Sequence, residues 1–439
     1  MNNPLSDVVR QILTKRLQSE FFWVVAAQFL TMVGGVILVS IAARLAGPYI
    51  YGLFATALSV AAILTILIFG PISQVAMRFS PKAALEENDP IFSTIILLSL
   101  AVLALLAVLA AALCWVFALI PDLYVAGGIV FVLTALIGGQ QVAAAVLNGA
   151  RRRRRVAVAQ MVEIVVRLAA LAIAFAFLER SAFALLCAFV IGSAAGLIVL
   201  LTGWRQSFGG FWSHSVDRAR LKQRFASMAS YAWPFVLFGL VGVVGSHGER
   251  LILAQLAPLQ DVGRYAVISQ LANAPLALCL GVVNNFAYPI LFGKEARGGS
   301  IYSDRGLRYY SLASLAVIGG LTIAVAIFGQ PVLLLLTKEK FADSGSLMIL
   351  MVLSSGIFNV GQQLVLLGLA ANKSSIYIFP KLGHSIALLA GASILVPIYG
   401  LLGMAWAQLG CAIFYALAVA LANYRLKQGI ARKQAGSPW

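Results

Sequence analysis

Charged and amide side chains set inside apolar runs are where this sequence can do chemistry. A charge placed in hydrocarbon costs roughly 2.5–3.5 kcal/mol on insertion scales, so each one needs a reason. Glu163 and Arg167 are four residues apart, on one face of a helix, and can pair. Two readings are open: the pair is a mutually neutralised brace, or Glu163 orients Arg167 as an anion ligand. Glu249 and Arg250 are adjacent and cannot share a helix face. His247 nearby is either a neutral hydrogen-bonding residue or a titrating partner of Glu249. Lys381 and His384 lie three apart after Pro380; Lys381 either snorkels to the interface or lines an entrance, and His384 lies deeper. Arg78 follows Gly70-Pro71 and is either an interfacial anchor or the rim of an anion cavity. Amides recur at similar depth: Gln140, Gln141, Asn284 and Asn285, with Gln28, Asn359, Gln362 and Gln363. Contacts between helices satisfy some of them, and a hydrophilic cavity accounts for more.

The chemistry these residues suggest is binding, not catalysis. There is no nucleotide-binding loop, no metal cluster and no Ser/His/Asp set at matching depth, so neither a metal nor another cofactor is expected. Cys114, Cys187, Cys279 and Cys411 each lie inside an apolar run without short spacings, and read as small core residues.

The elements that must position these side chains follow from composition. Hydrophobic residues make up 61% of the 439, charged residues 11%, and the mean hydropathy is +0.95. Too little polar surface remains to cover a water-soluble fold, and period-2 alternation of a barrel is missing. The expectation is an all-α polytopic membrane protein. Apolar runs predict twelve spans: Phe21–Leu45, Tyr51–Phe69, Ile91–Ile120, Tyr124–Leu147, Val156–Leu178, Ala182–Trp204, Tyr231–Leu256, Val262–Val283, Tyr309–Phe328, Leu347–Ala370, Ile376–Val396 and Leu401–Ala422. The first run is too long for a signal peptide and reads as a retained helix.

The net charge of +17 sets the orientation. With both termini cytoplasmic, 24 Lys and Arg fall on the inner side and 4 on the outer, as the positive-inside rule requires. The run Arg151 to Arg155 reads chiefly as a topology anchor, with a lipid-headgroup or nucleic-acid patch as the other reading. Nucleic acid is not expected as a partner. The outward connections are short; the longest runs from Gly329 to Ser346.

A shift of 211 positions superimposes Val33, Gly34, Ile41, Ala43, Leu45, Ala46, Gly52 and Ala55 on Val244, Gly245, Ile252, Ala254, Leu256, Ala257, Gly263 and Ala266. Six spans per half give parallel repeats. The expected organisation is therefore two six-helix lobes with pseudo-two-fold symmetry around a V-shaped central cavity. The boundaries are 1–205, a basic linker 206–230, and 231–439. Gly192 and Gly196 have the spacing of close helix packing.

The stretch Ala43-Arg44-Leu45-Ala46-Gly47-Pro48-Tyr49-Ile50-Tyr51-Gly52-Leu53-Phe54 resembles the signature that closes the first helix of Wzx-type polysaccharide flippases. These belong to the superfamily that also contains multidrug-and-toxin exporters and murein-precursor flippases. Glu249-Arg250-Leu251-Ile252-Leu253, with Val262-Gly263-Arg264-Tyr265-Ala266, is similar to that family's seventh-to-eighth helix segment. Pro397-Ile398-Tyr399-Gly400-Leu401-Leu402-Gly403-Met404-Ala405 resembles its turn before the last helix. The first span contains no charge before Arg44, unlike either of the other two branches.

The resemblance implies flipping of an undecaprenyl-diphosphate-linked oligosaccharide between leaflets of the bacterial inner membrane, by a protein that is not an enzyme. The sequence leaves the glycan open among O-antigen lipopolysaccharide, capsule, exopolysaccharide and teichoic precursors, and other polysaccharide assembly proteins are expected partners. Arg167 and Arg250 are then expected to bind the diphosphate through their forked donors. Arg78 and Lys381 would stand at the cytoplasmic entrance. Glu163 and Glu249 would orient the arginines, with Glu249, His247 and His384 open to H⁺ or Na⁺ coupling. The alternatives are a cation-coupled multidrug antiporter and a membrane-embedded glycan polymerase or ligase.

Overall fold

The computed structural model describes residues 4–83, 95, 98–99, 101–102, 105, 121–177, 180–208, 218–243, 248–295, 305–337, 341, 345–370 and 373–435. The expected third span, Ile91–Ile120, falls almost wholly outside them, as does His247.

Helix α1 runs from Pro4 to Ile68 but turns a corner at Gly47, whose φ of 81° and ψ of 174° are not helical. Glycine reaches that region without a Cβ clash, and Pro48 fixes the φ at which the next helix restarts. The corner separates the first two expected spans. Helix α2, Gly70–Ala83, continues the second after a turn at Phe69 and carries Arg78. Helices α3 (Pro121–Gly149), α4 (Arg153–Phe177) and α5 (Ala182–Phe208) follow.

The expected seventh span, Tyr231–Leu256, is described up to Val243 and again from Gly248, and its residues 244–247 lie outside the described residues. Helix α6 is Arg218–Val243 and helix α7 is Glu249–Leu256. Glu249 stands in the first turn of α7, where a helix favours an acid. Helices α8 (Leu259–Glu295), α9 (Arg305–Thr337), α10 (Gly345–Leu364) and the short α11 (Leu366–Ala370) lead to α12 (Ile378–Ala435). Helix α12 has its own corner at Gly400, φ 58° and ψ −132°, three residues after Pro397.

Among the described residues, seven helices are long and apolar enough to cross a membrane. Two of them, 47 and 54 residues long, contain the two corners. Their outer faces are apolar: Phe177, Phe379 and Leu335 are 83%, 80% and 70% exposed, as suits hydrocarbon as solvent. Interior hydroxyls satisfy themselves locally. Thr134, Thr322 and Thr337 each donate to the carbonyl four residues back at 2.6–2.8 Å.

Contacts divide the chain into two compact units. The first holds 1–38 and 57–240; its core joins Phe69, Val75, Val146, Val156, Leu200 and Trp204. The second holds 39–56 and 241–439. The tip of the α1 corner thus groups by contact with residues from 241 onward. Two close backbone approaches explain this. A Cβ added at Gly52 would lie 3.1 Å from Gly263 N, and one at Gly263 would lie 2.8 Å from Gly52 N. Nearby, Arg44 Nε donates to Leu336 O at 2.9 Å, which satisfies a carbonyl at the end of α9.

Candidate functional site

In the first unit, α4 carries Glu163 and Arg167 on one face, as their spacing predicts, and the two form an ion pair. Gly192 and Gly196 on α5 let α4 approach closely: a Cβ at Gly192 would stand 2.8 Å from Arg167 Cβ and 3.0 Å from Glu163 O. Around the pair, Gln140 Nε2 donates to Glu163 Oε2 at 3.2 Å and to Ser193 O at 2.8 Å. The Ser193 hydroxyl donates to Glu163 Oε1 at 3.4 Å. The Arg167 guanidinium lies 4.0 Å from the Phe189 ring centroid, with a cation–π contribution. Its Nε is buried and has no hydrogen-bond partner among the described residues. The cluster draws on α3, α4 and α5, so it braces those helices and leaves the Nε donor uncommitted among them.

Gln141 is exposed, and its Nε2 donates to Ser73 Oγ at 3.3 Å. Arg78 is also exposed, with its guanidinium 4.4 Å from the centroid of Tyr231. Both belong to the first unit; Gln141 is next to Gln140 in sequence but bonds Ser73 and not Glu163.

In the second unit, Glu249 opens α7 and accepts a hydrogen bond from Gln408 Nε2 on α12. Both line a cavity of about 380 Å³ together with Asn273, Ser354, Asn359 and His384. Nearly all its polar atoms are oxygens or amides around a single carboxylate. Such a donor set suits a proton or a hard monovalent cation. Among the described residues there is no group of three or more His, Cys, Asp or Glu side chains that could hold a metal. His384 is buried, its ring 4.8 Å from Phe358 and 5.6 Å from Tyr415. Tyr415 in turn donates to Gln362 Oε1 at 3.0 Å.

Arg250, next in sequence to Glu249, is not among the residues lining that cavity, and its Nε is buried with no hydrogen-bond partner among the described residues. Lys381 is half-buried beside Gly242, where an added Cβ would lie 3.4 Å from its Nζ. Asn284 and Asn285 lie on α8. Lys381 and His384 share α12, yet of the two only His384 reaches the cavity.

The sequence reading named Glu249, His384 and Asn359 among these residues but missed Gln408, Asn273 and Ser193. The rule that flagged the other amides applies to Gln408 and Asn273 too, since each interrupts an apolar run. Ser193 gives no such signal, because serine is common in membrane helices and only the fold sets it against Glu163.

Comparison with known proteins bears on what these sites are for. The profile of a family described as "Polysaccharide biosynthesis protein" matches residues 17–293. No curated protein matches the chain by sequence. Among solved structures, the chain is similar to the lipid II flippase MurJ in an inward closed conformation, at 12% identity and a TM-score of 0.68, covering 90% of this chain and 86% of that one. It is also similar to an inward-facing multidrug resistance MATE family transporter of the MOP superfamily, at 14% identity and a TM-score of 0.58, covering 94% and 96%. The Vibrio cholerae MATE transporter VcmN in its bent form gives 14% identity and a TM-score of 0.53 over 94% and 97%. The all-helical fold is therefore the one these transporters share.

Proposed function

Because the chain belongs to the polysaccharide biosynthesis protein family, we propose that it flips an undecaprenyl-diphosphate-linked oligosaccharide from the inner to the outer leaflet of a bacterial inner membrane. The family match over residues 17–293 carries this reading. The fold shared with a lipid II flippase supports it, since that protein also takes a lipid-linked cargo. The proposed architecture keeps twelve spans in two six-helix lobes, 1–205 and 231–439, joined by the basic segment 206–230, with both termini cytoplasmic. Transport proceeds by alternating access.

The cargo sets three demands. The polyprenyl tail stays in lipid, the sugars need amide-lined water, and the diphosphate needs cations. Arg250 is the first diphosphate ligand in this reading, because its buried Nε has no hydrogen-bond partner among the described residues. Arg167, whose Nε likewise has none among them, serves second, with Glu163 holding it in place. Arg78 and Lys381 attract the headgroup at the cytoplasmic entrance, and Gln140, Gln141, Asn284 and Asn285 serve the sugars. Glu249, supported by Gln408 and near His384, exchanges H⁺ or Na⁺ within its own cavity. His247 keeps its place as a candidate partner of Glu249. Coupling is an aid and not a necessity: an inside-negative potential already favours outward movement of anions by about 2.3 kcal/mol per charge per 100 mV.

A second reading, a cation-coupled multidrug antiporter, draws on the likeness to MATE transporters and on the single carboxylate in the cavity. Flipping of a fluorescent polyprenyl-diphosphate oligosaccharide in reconstituted vesicles separates the two. Arg250→Gln is expected to slow flipping about tenfold to a hundredfold, the worth of a charge-assisted hydrogen bond or two. Glu249→Gln is expected to abolish any dependence on a H⁺ or Na⁺ gradient while leaving a basal rate. A folded Arg250→Gln protein that flips at the wild-type rate sinks the diphosphate assignment, and drug efflux without glycan flipping sinks the cargo.

A further inference from the structure

One end of the first unit carries a collar of cations that the transport reading does not use. Helix α3 closes at Gly149 with a tight turn, in which Arg152 N–H donates to Leu147 O at 2.7 Å and Arg151 N–H to Asn148 O at 3.1 Å. Arg151 has a φ of 57°, in the left-handed region that favours glycine at such a helix end. Helix α4 then starts at Arg153, so Arg153, Arg154 and Arg155 fill its first turn, and no acid stands there. The positive end of a helix repels cations. All five arginines are exposed. Arg205, in the last turn of α5, is exposed too. It lies level with α4's start, since a Cβ at Gly203 would stand 3.6 Å from the Arg155 stem.

Three features of local chemistry thus oppose this arrangement: like charges in a row, the helix dipole, and a backbone conformation that disfavours a side chain. An anion covering the collar offsets the first two. The aromatic side chains beneath indicate its depth. The Arg154 guanidinium lies 4.7 Å from the Trp23 ring centroid, and Trp23 meets Phe22 edge-on at 6.4 Å, with Phe22 67% exposed. An exposed Phe22 and a half-buried Trp23 against a guanidinium suit a membrane–water boundary, where rings sit at the headgroup level and cations at the phosphates.

We propose that Arg151–Arg155 with Arg205 form a docking site for anionic phospholipid headgroups of the surrounding leaflet. Guanidinium forks bind phosphate oxygens in pairs, and the N-terminal N–H groups of α4 add donors of the same sense. A soluble polyanion would have no use for the apolar ledge of Phe22 and Trp23. The site lies outside the transport reading and does not depend on it.

Native mass spectrometry of the full-length protein in detergent, titrated with phosphatidylglycerol, tests the site. The wild-type protein is expected to retain phosphatidylglycerol and to lose phosphatidylcholine at the same mole ratio. Arg151→Gln with Arg152→Gln is expected to weaken phosphatidylglycerol binding about 25-fold, at about fivefold per charge. Lysine at both positions is expected to keep it within about threefold, because lysine preserves the charge. Equal retention of the two lipids, or unchanged binding in a folded glutamine variant, overturns the proposal. Should that variant not fold, the wild-type protein decides alone. Phosphatidylglycerol must then dissociate as salt rises and persist in millimolar inorganic phosphate. Displacement by that phosphate, or by a short RNA at micromolar concentration, overturns the lipid assignment. No flipping step enters the measurement, so its failure leaves the proposed transport untouched.

Discussion

Arg167 and Arg250 have the same side chain in opposite circumstances. Arg167 is tied to Glu163, which also accepts from Gln140 and Ser193, whereas no ion pair involves Arg250 among the described residues. Breaking a buried pair by removing one partner leaves an uncompensated charge, at a cost of about 3–5 kcal/mol. Glu163→Gln is therefore expected to lower the thermal midpoint of the detergent-solubilised protein by several degrees. Glu163→Gln combined with Arg167→Met is expected to recover most of that loss, because both charges are then gone. A double variant no more stable than the single one would mean that an uncompensated Arg167 charge is not the source of the loss. The pair itself was legible in the sequence because four residues make one helical turn. Its neighbours were not: Ser193 and Gln140 reach Glu163 across 30 and 23 residues, and Gln408 reaches Glu249 across 159. Only tertiary structure supplies such contacts.

At the level of helices, the two corners carry the clearest prediction. Around Gly400 there is open space, so a methyl group there meets only the backbone preference of its φ of 58°. Three residues on, a Cβ at Gly403 would lie 2.9 Å from Val396 N, against rigid backbone. Gly400→Ala is thus expected to cost about 1–3 kcal/mol, the penalty of a sparsely populated backbone conformation at positive φ and ψ of −132° that glycine alone reaches easily. Gly403→Ala is expected to cost more, because the corner itself must open. Fluorescence-detected size exclusion after graded heating ranks them; the reverse order would refute this account of the corner. Gly47-Pro48 and Pro397 with Gly400 were readable as turns, since glycine and proline interrupt an apolar run conspicuously.

For the whole molecule, the apolar exterior and the membrane class followed from composition alone, and the helical fold agrees. Composition could not show that residues 39–56 belong by contact with residues from 241 onward. That assignment rests on two glycine backbones meeting and on one arginine reaching a carbonyl 292 residues away. Tyr51 is 5% exposed in the finished fold. At synthesis rates of about 5–20 residues per second, the α1 tip waits roughly 15–60 s before Leu336 has even been made. Through that interval the tip has no native surface to rest on, and bilayer lipid or an insertion factor must shelter it. A Tyr51→Cys chain stalled on the ribosome after residue 240 is accordingly expected to react quickly with a membrane-permeant maleimide, and the released full-length protein slowly; equal rates would mean that the tip finds cover elsewhere. The second unit, which includes that tip, therefore cannot be completed in chain order: residues 39–56 await partners made long after them, which makes late truncations as damaging to the beginning of the protein as to its end.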